Sequence, residues 1–179
     1  MAVTRDIQPV IKAMKKDKRY KRLREAFQSL PIYQLKIEAL NEELANLHKI
    51  REVRRLNTSD PAFVDALIRA NNQDISTRGR ASEIMMECVR IIDKLGHAVK
   101  LLQDHLLITY HDELRSYRTK EERLQVVRIV LRPFEKYIND ASSLKEVSQI
   151  VITDIDKDNF AMNLTMRALE LHVARERRI

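Results

Sequence analysis

Apolar residues recur along this chain at intervals of three and four, not two, almost from end to end. Near the start, Ile7, Val10, Ile11 and Met14 share one helical face, and Tyr20, Leu23, Ala26, Phe27 and Leu30 share another. Asp6 is placed to cap the first helix, which accommodates Pro9 in its first turn, where a missing N–H is no loss. Asp17 either caps the second helix or lies within one longer helix. Pro31 disfavours helical geometry at Leu30 and so marks a boundary.

Beyond it the pattern predicts a helix from Ile32 to Asn57, with Tyr33, Ile37, Leu40, Leu44 and Leu47 at spacings of 4, 3, 4 and 3. This coiled-coil-like repeat lasts about two heptads before Ile50 and Val53 shift its phase, so packing inside a bundle accounts for it equally well. Asn57, Thr58, Ser59, Asp60 and Pro61 predict a break and restart. A short helix through Phe63, Leu67 and Ala70 is expected to end near Asn71 and Asn72. The next helix, from about Arg80 to Tyr117, carries two adjacent stripes, one of Ile84, Cys88, Ile91, Leu95, Ala98 and Leu102 and one of Met85, Val89, Ile92, Val99 and Leu106. It would extend about 55 Å and so is expected to pack against more than its own chain. Ile37, Leu40, Leu44, Leu47, Ile84, Ile91, Leu95 and Leu102 are the residues expected to carry self-association. Gly96, at a cost of about 1 kcal/mol relative to Ala, would admit a second helix closely.

Thr119 and Glu122 form a capping box that starts a further helix through Leu124, Val127, Leu131, Phe134 and Ile138, kinked or broken at Pro133, and Ser143 with Glu146 repeats the device. Leu144, Val147, Val151, Ile155, Met162, Met166, Leu169 and Val173 continue the helical spacing. The β-branched run Ile150 to Thr153 leaves a short strand near 149–155 open. The fold class is all-α, with long amphipathic helices forming an oligomerisation core. In sequence order it divides into a basic helical segment (1–30), a long-helix core (31–118) and a C-terminal helical segment (119–179).

Composition sharpens this picture. Two glycines and four prolines in 179 residues are too few for a hairpin-rich β fold, and 33% charged residues against 5% aromatic suit long amphipathic helices. A single cysteine, Cys88, permits no intrachain disulfide and points to a reducing cytoplasm. Neither a signal-peptide pattern nor an eighteen-residue apolar run is found, so no membrane partner is expected. The charge is uneven. Residues 1–24 hold nine basic groups (Arg5, Lys12, Lys15, Lys16, Lys18, Arg19, Lys21, Arg22 and Arg24) against Asp6 and Asp17, and this local excess equals the +7 of the whole chain.

Such a cluster suits phosphates, because Lys and Arg gain affinity for nucleic acid by releasing condensed counterions. The ordinary alternative, a solvated helix face, usually carries both signs. Lys12, Lys15, Lys16, Lys18, Arg19, Lys21, Arg22 and Arg24 are therefore the expected DNA-contacting residues, whereas Tyr20 and Phe27 read more simply as core than as base-stacking groups. No glycine-containing turn signals a helix-turn-helix. Asp154, Asp156 and Asp158 alternate as an EF-hand loop begins, yet Asn159 and Thr165 stand where such a loop needs Gly and Glu. No two of the five histidines are spaced four apart, and Cys88, between Ile84 and Ile91, reads as a small buried hydrophobe. Catalytic groups, metals and cofactors are not expected.

The basic helical start, the long helical centre and the segment Thr153, Asp154, Ile155 and Asp156, followed by Phe160 and Leu164, together resemble a tailed-bacteriophage terminase small subunit. The resemblance implies a ring-shaped homo-oligomer that recognises double-stranded viral DNA and presents it to the terminase large subunit, which carries the ATPase and nuclease, in the host cytoplasm. It assigns the DNA-contacting role to the N-terminal Lys and Arg positions and assembly to the central helices. The residues alone also fit a helical adaptor whose basic helices meet an acidic protein surface.

Overall fold

The computed structural model describes residues 7–52 and 63–176, so the Asp6 cap and the break at Asn57 to Pro61 lie outside the described residues. Among the described residues every element is helical: α1 (Gln8–Lys16), α2 (Lys18–Ser29), a 3-10 turn (Pro31–Tyr33), α3 (Ile37–Glu52), α4 (Phe63–Thr109), α5 (His111–Leu114) and α6 (Lys120–Glu176). The all-α expectation holds, and the strand left open near 149–155 is α6. Val151 and Ile152 are buried there, which offsets the rotamer cost of β-branching, and the Thr153 hydroxyl donates to the Gln149 carbonyl at 2.8 Å, inside its own helix.

Two helices are longer than the apolar pattern implies. The helix expected to end near Asn71 runs on as α4, through Asn72 and Gly79 and past Arg80. Its inward positions are Phe63, Leu67, Ala70, Asp74, Thr77, Ala81, Ile84, Cys88, Ile91 and Leu95, all buried and each three or four residues from the last. Asp74 and Thr77 occupy two of these positions, so the repeat is intact while its apolar signature is interrupted. Likewise α6 passes through Pro133 and the Ser143 restart without ending. Proline at 133 leaves the Ile129 carbonyl without its i+4 amide, a loss that water can make good because Ile129 and Pro133 are both exposed. Ser148, fully buried, donates its hydroxyl to the Leu144 carbonyl at 2.8 Å and so keeps its place in the apolar face. The helix expected to reach Tyr117 instead stops at Thr109, where Tyr110 leaves helical geometry and the chain turns to bury Leu114. The capping box forms as expected, the Glu122 amide donating to Thr119 Oγ1 at 3.1 Å and the Thr119 amide to Glu122 Oε2 at 3.3 Å.

The chain divides into two compact units, each drawn from separated stretches and not from the consecutive segments of the sequence reading. Unit 1 comprises residues up to Ile37 and Glu87–Ser143; unit 2 comprises Glu38–Met86 and Leu144 onward. In unit 1, α1 and α2 lie on the paired stretches of α4 and α6, and one core joins Ile11, Met14 and Tyr20 to Leu95, Leu102, Leu106, Val127, Val130, Leu131 and Phe134. Cys88 is buried, and burial pushes its thiol up to about 11, so it behaves as a core hydrophobe. In unit 2, α3, the first part of α4 and the second part of α6 pack together. Arg80 grips Glu43 of α3 through two bonds of 2.7 and 3.1 Å and reaches Glu83 at 3.2 Å, while Arg78 binds Asp156 of α6 at 2.7 and 3.3 Å. Hydrogen bonding to Arg80 holds the Glu43 carboxyl below its usual range.

Neither glycine serves a close approach within the chain, for a Cβ built on Gly79 or Gly96 meets nothing within 4 Å. Gly79→Ala and Gly96→Ala should therefore each stabilise the protein by about 0.5–1 kcal/mol in urea unfolding. A loss of stability at Gly96 alone, dependent on protein concentration, would instead mean that another copy packs there.

Candidate nucleic-acid interface

The basic cluster lies on α1 and α2, which are fastened to unit 1 by their apolar faces. On α1, Ile11 and Met14 point inward, with Ile7 and Val10 packed beside them. On α2, Tyr20 is buried and Leu23 and Phe27 pack against the same core. Phe27 is the centre of an aromatic group, edge-on to Phe134 and Tyr137 at 5.3 Å each and stacked on Tyr33 at 5.8 Å, while Tyr20 meets Phe134 edge-on at 5.9 Å. Tyr20 is thus a core residue, Phe27 packs half-buried against the same core, and Tyr33 belongs to this group. The Tyr110 hydroxyl donates to the Ala13 carbonyl at 3.1 Å and ties the end of α4 to α1.

Because the apolar stripe of each helix is committed inward, its Lys and Arg positions must face water. All eight of the expected DNA-contacting residues, Lys12, Lys15, Lys16, Lys18, Arg19, Lys21, Arg22 and Arg24, are exposed. None of them is held in an ion pair among the described residues. Asp17, the acid in their midst, is engaged elsewhere. It forms the one-residue corner between α1 and α2, with extended backbone, and caps α2 by accepting from the amides of Arg19 at 2.7 Å and Tyr20 at 3.2 Å. Its other carboxylate oxygen lies 3.2 Å from His105 Nε2. Burial by itself would raise this carboxyl, but the Arg19 amide, His105 and the Tyr20 amide together outweigh it and hold the group below 3.8. A one-residue corner is shorter than the three- or four-residue turn of a helix-turn-helix, in keeping with the missing turn signal.

Other expected positions fall differently. Leu44, Ile84, Ile91, Leu95 and Leu102 are buried within the single chain, and Ile37, Leu40 and Leu47 are half-buried, so the long stripe of α4 finds its cover at home. The apolar side chains left outside are others. In unit 2, Val64, Ile68, Ile75 and Met86 of α4 are 53%, 54%, 57% and 50% exposed and, at 100° per residue, fall within an arc of about 40°. Sequence reading passed over these four because they interleave with the inward series. Phe160 and Leu164, which carry part of the family resemblance, are exposed on α6. Asp154, Asp156 and Asp158 lie on that helix too, not in a loop, with Asp154 3.5 Å from His48 and Asp156 bound to Arg78.

The Asp17 cap yields a prediction. Asp17→Ala should cost about 1 kcal/mol. Since the folded carboxyl is more acidic than the unfolded one, its contribution is complete above about pH 3.8 and is lost as pH falls through the lower folded value. Urea titrations of wild type and variant should accordingly differ at pH 7 and converge as the pH is lowered through the range in which the folded carboxyl is protonated.

Among the described residues, no helix is long and apolar enough to cross a membrane. Comparison with family models, curated proteins and solved structures finds no match to this chain.

Proposed function

We propose that this chain is a non-catalytic DNA-binding protein that grips the phosphate backbone of duplex DNA through α1 and α2 and works as a self-assembling adaptor, in the role of a terminase small subunit. One observation carries the reading: eight cations within thirteen residues, 12–24, stand exposed, in no ion pair among the described residues, on two helices whose opposite faces are locked into a core. Side chains held this way meet a polyanion with little backbone ordering to pay for, and each phosphate neutralised releases counterions. The arrangement offers positioning on the backbone more than the reading of bases.

Assembly is supported by a second surface. A protein that leaves Val64, Ile68, Ile75 and Met86 in one exposed row keeps apolar area in water that a neighbouring copy would remove. The adaptor role, with a large ATPase and nuclease subunit as its partner, rests on the family resemblance together with these two surfaces.

Replacing Lys15, Lys16, Arg19 and Arg22 together by Gln should flatten the plot of log affinity for duplex DNA against log salt by roughly 0.9 per phosphate contact removed. An unchanged slope, with the fold intact by circular dichroism, would overturn the DNA reading. For assembly, Ile68→Glu combined with Ile75→Glu should lower the native mass toward that of a single chain while leaving unit 1 and its DNA affinity per chain unaltered. A wild-type chain of monomeric mass at high concentration would refute self-association and leave the phosphate-binding surface standing.

A further inference from the structure

Beside the aromatic group of unit 1 lies an open groove of about 350 Å³. Tyr20, Phe27, Gln28, Pro133 and Phe134 line it, with Lys15 from α1 and Arg24 from α2. Among the described residues no carboxylate lines it. The wall at the end of α2 is held in place, since Gln34 Nε2 donates to the carbonyls of Phe27 and Gln28 at 3.0 Å each.

We propose that this groove accepts one unpaired nucleotide of a DNA strand, its base against Phe27 and Pro133 and its phosphate between Lys15 and Arg24. The proposal rests on the phosphate-binding reading and narrows it to a strand end or frayed junction. Three features favour such a ligand. The lining combines aromatic and apolar side chains with two cations, as a nucleotide combines a flat base with an anionic phosphate. Phe27, half-buried where Tyr20 and Phe134 are buried, is the ring with area left to meet a base, and it suits any base because every base has a π-face. At about 350 Å³ the space is near the lower end of small-ligand sites and has room for one base. The cations are also continuous with the exposed cluster of α1 and α2, so a duplex lying on that cluster brings its unpaired end to the groove. Pro133 gains a purpose here, for it sets a compact apolar ring on the surface of α6 at the cost of one helical hydrogen bond.

The test uses the full chain with three probes: a duplex bearing a short 5′ overhang with 2-aminopurine in it, the same duplex blunt-ended, and free deoxyadenosine monophosphate. Binding should quench the overhang fluorophore, and the overhang duplex should bind more tightly than the blunt one by roughly tenfold. Gln28→Trp, which fills the groove from its rim, should abolish the quenching and the overhang preference while blunt-duplex affinity stays as in wild type. Pro133→Ala, which the helix accommodates, should weaken both in part and guards against misfolding of the tryptophan variant. Equal affinity for overhang and blunt duplex with no quenching overturns the groove and leaves the duplex reading in place, whereas failure of both duplexes to bind removes both. Free nucleotide competing as well as the overhang would overturn the assignment to a strand.

Discussion

The contact on which the basic surface depends is apolar. Phe27 and Tyr20 of α2 are driven onto Phe134 and Tyr137 of α6, with ring centroids 5.3–5.9 Å apart, and burial of rings this size is among the largest single contributions a small helical core receives. Without that anchor a segment with the composition of residues 12–24 has little reason to stay compact, since its cations repel one another and mutual repulsion favours extension. With it, the helices are oriented and the repulsion is stored as a readiness to bind anions. Placing the cations on the outside costs nothing extra, because two helices with one apolar stripe each have no other way to lie.

Asp17 shows how tightly this is organised. A lone carboxylate among eight cations would ordinarily neutralise part of the field around it. Here its lone pairs are taken by the amides of Arg19 and Tyr20 and by His105, so it starts α2 and ties the corner to α4 instead of pairing with a neighbouring cation. The helix gains its cap, and eight cations against one carboxylate leave the surface basic. Arg80 and Arg78 behave in the opposite way, each matched to carboxylates that join the helices of unit 2, so in that unit these two arginines are structural. Equal numbers of basic residues would say nothing of this difference; pairing does.

Much of this was legible in the residues. The 3.6-residue period, the capping box at Thr119 and Glu122, the inward set of α1 and α2 and the segregation of charge all follow from local rules that the structure obeys. What was not legible follows from three physical causes. Helix ends were misplaced at Asn71 and Ser143 because Asp74, Thr77 and Ser148 are polar residues occupying inward positions, and a count of apolar residues sees a gap where the backbone sees none. Five of the eight residues expected to carry self-association are buried by the chain itself, because two apolar stripes on one helix do not reveal which is covered by the same chain. Ile84, Ile91 and Leu95 turned out to be the chain's own core, and the row left over runs through Val64, Ile68 and Ile75, between polar neighbours that hide it. The groove over Phe27 was invisible for a third reason: Lys15, Arg24 and Pro133 come together only once α1, α2 and α6 are packed.

These causes bear on how the two surfaces divide the work. Affinity built on Lys and Arg contacts is long-ranged, weakly selective and sensitive to salt, because it comes from counterions released wherever a phosphate is met. Affinity built on the row from Val64 to Met86 would be short-ranged and indifferent to salt, because it comes from removing apolar area from water. A protein with the first alone binds any duplex loosely. Copies joined through the second would present several cationic faces to one duplex, and binding at one face would raise the effective concentration of DNA at the next. On the proposed function the order of events would follow from range: the cations would meet DNA at a distance, and apolar contact between copies would convert many weak grips into one firm hold. Salt would then release the grip without dissolving the assembly, a separation that neither surface produces by itself.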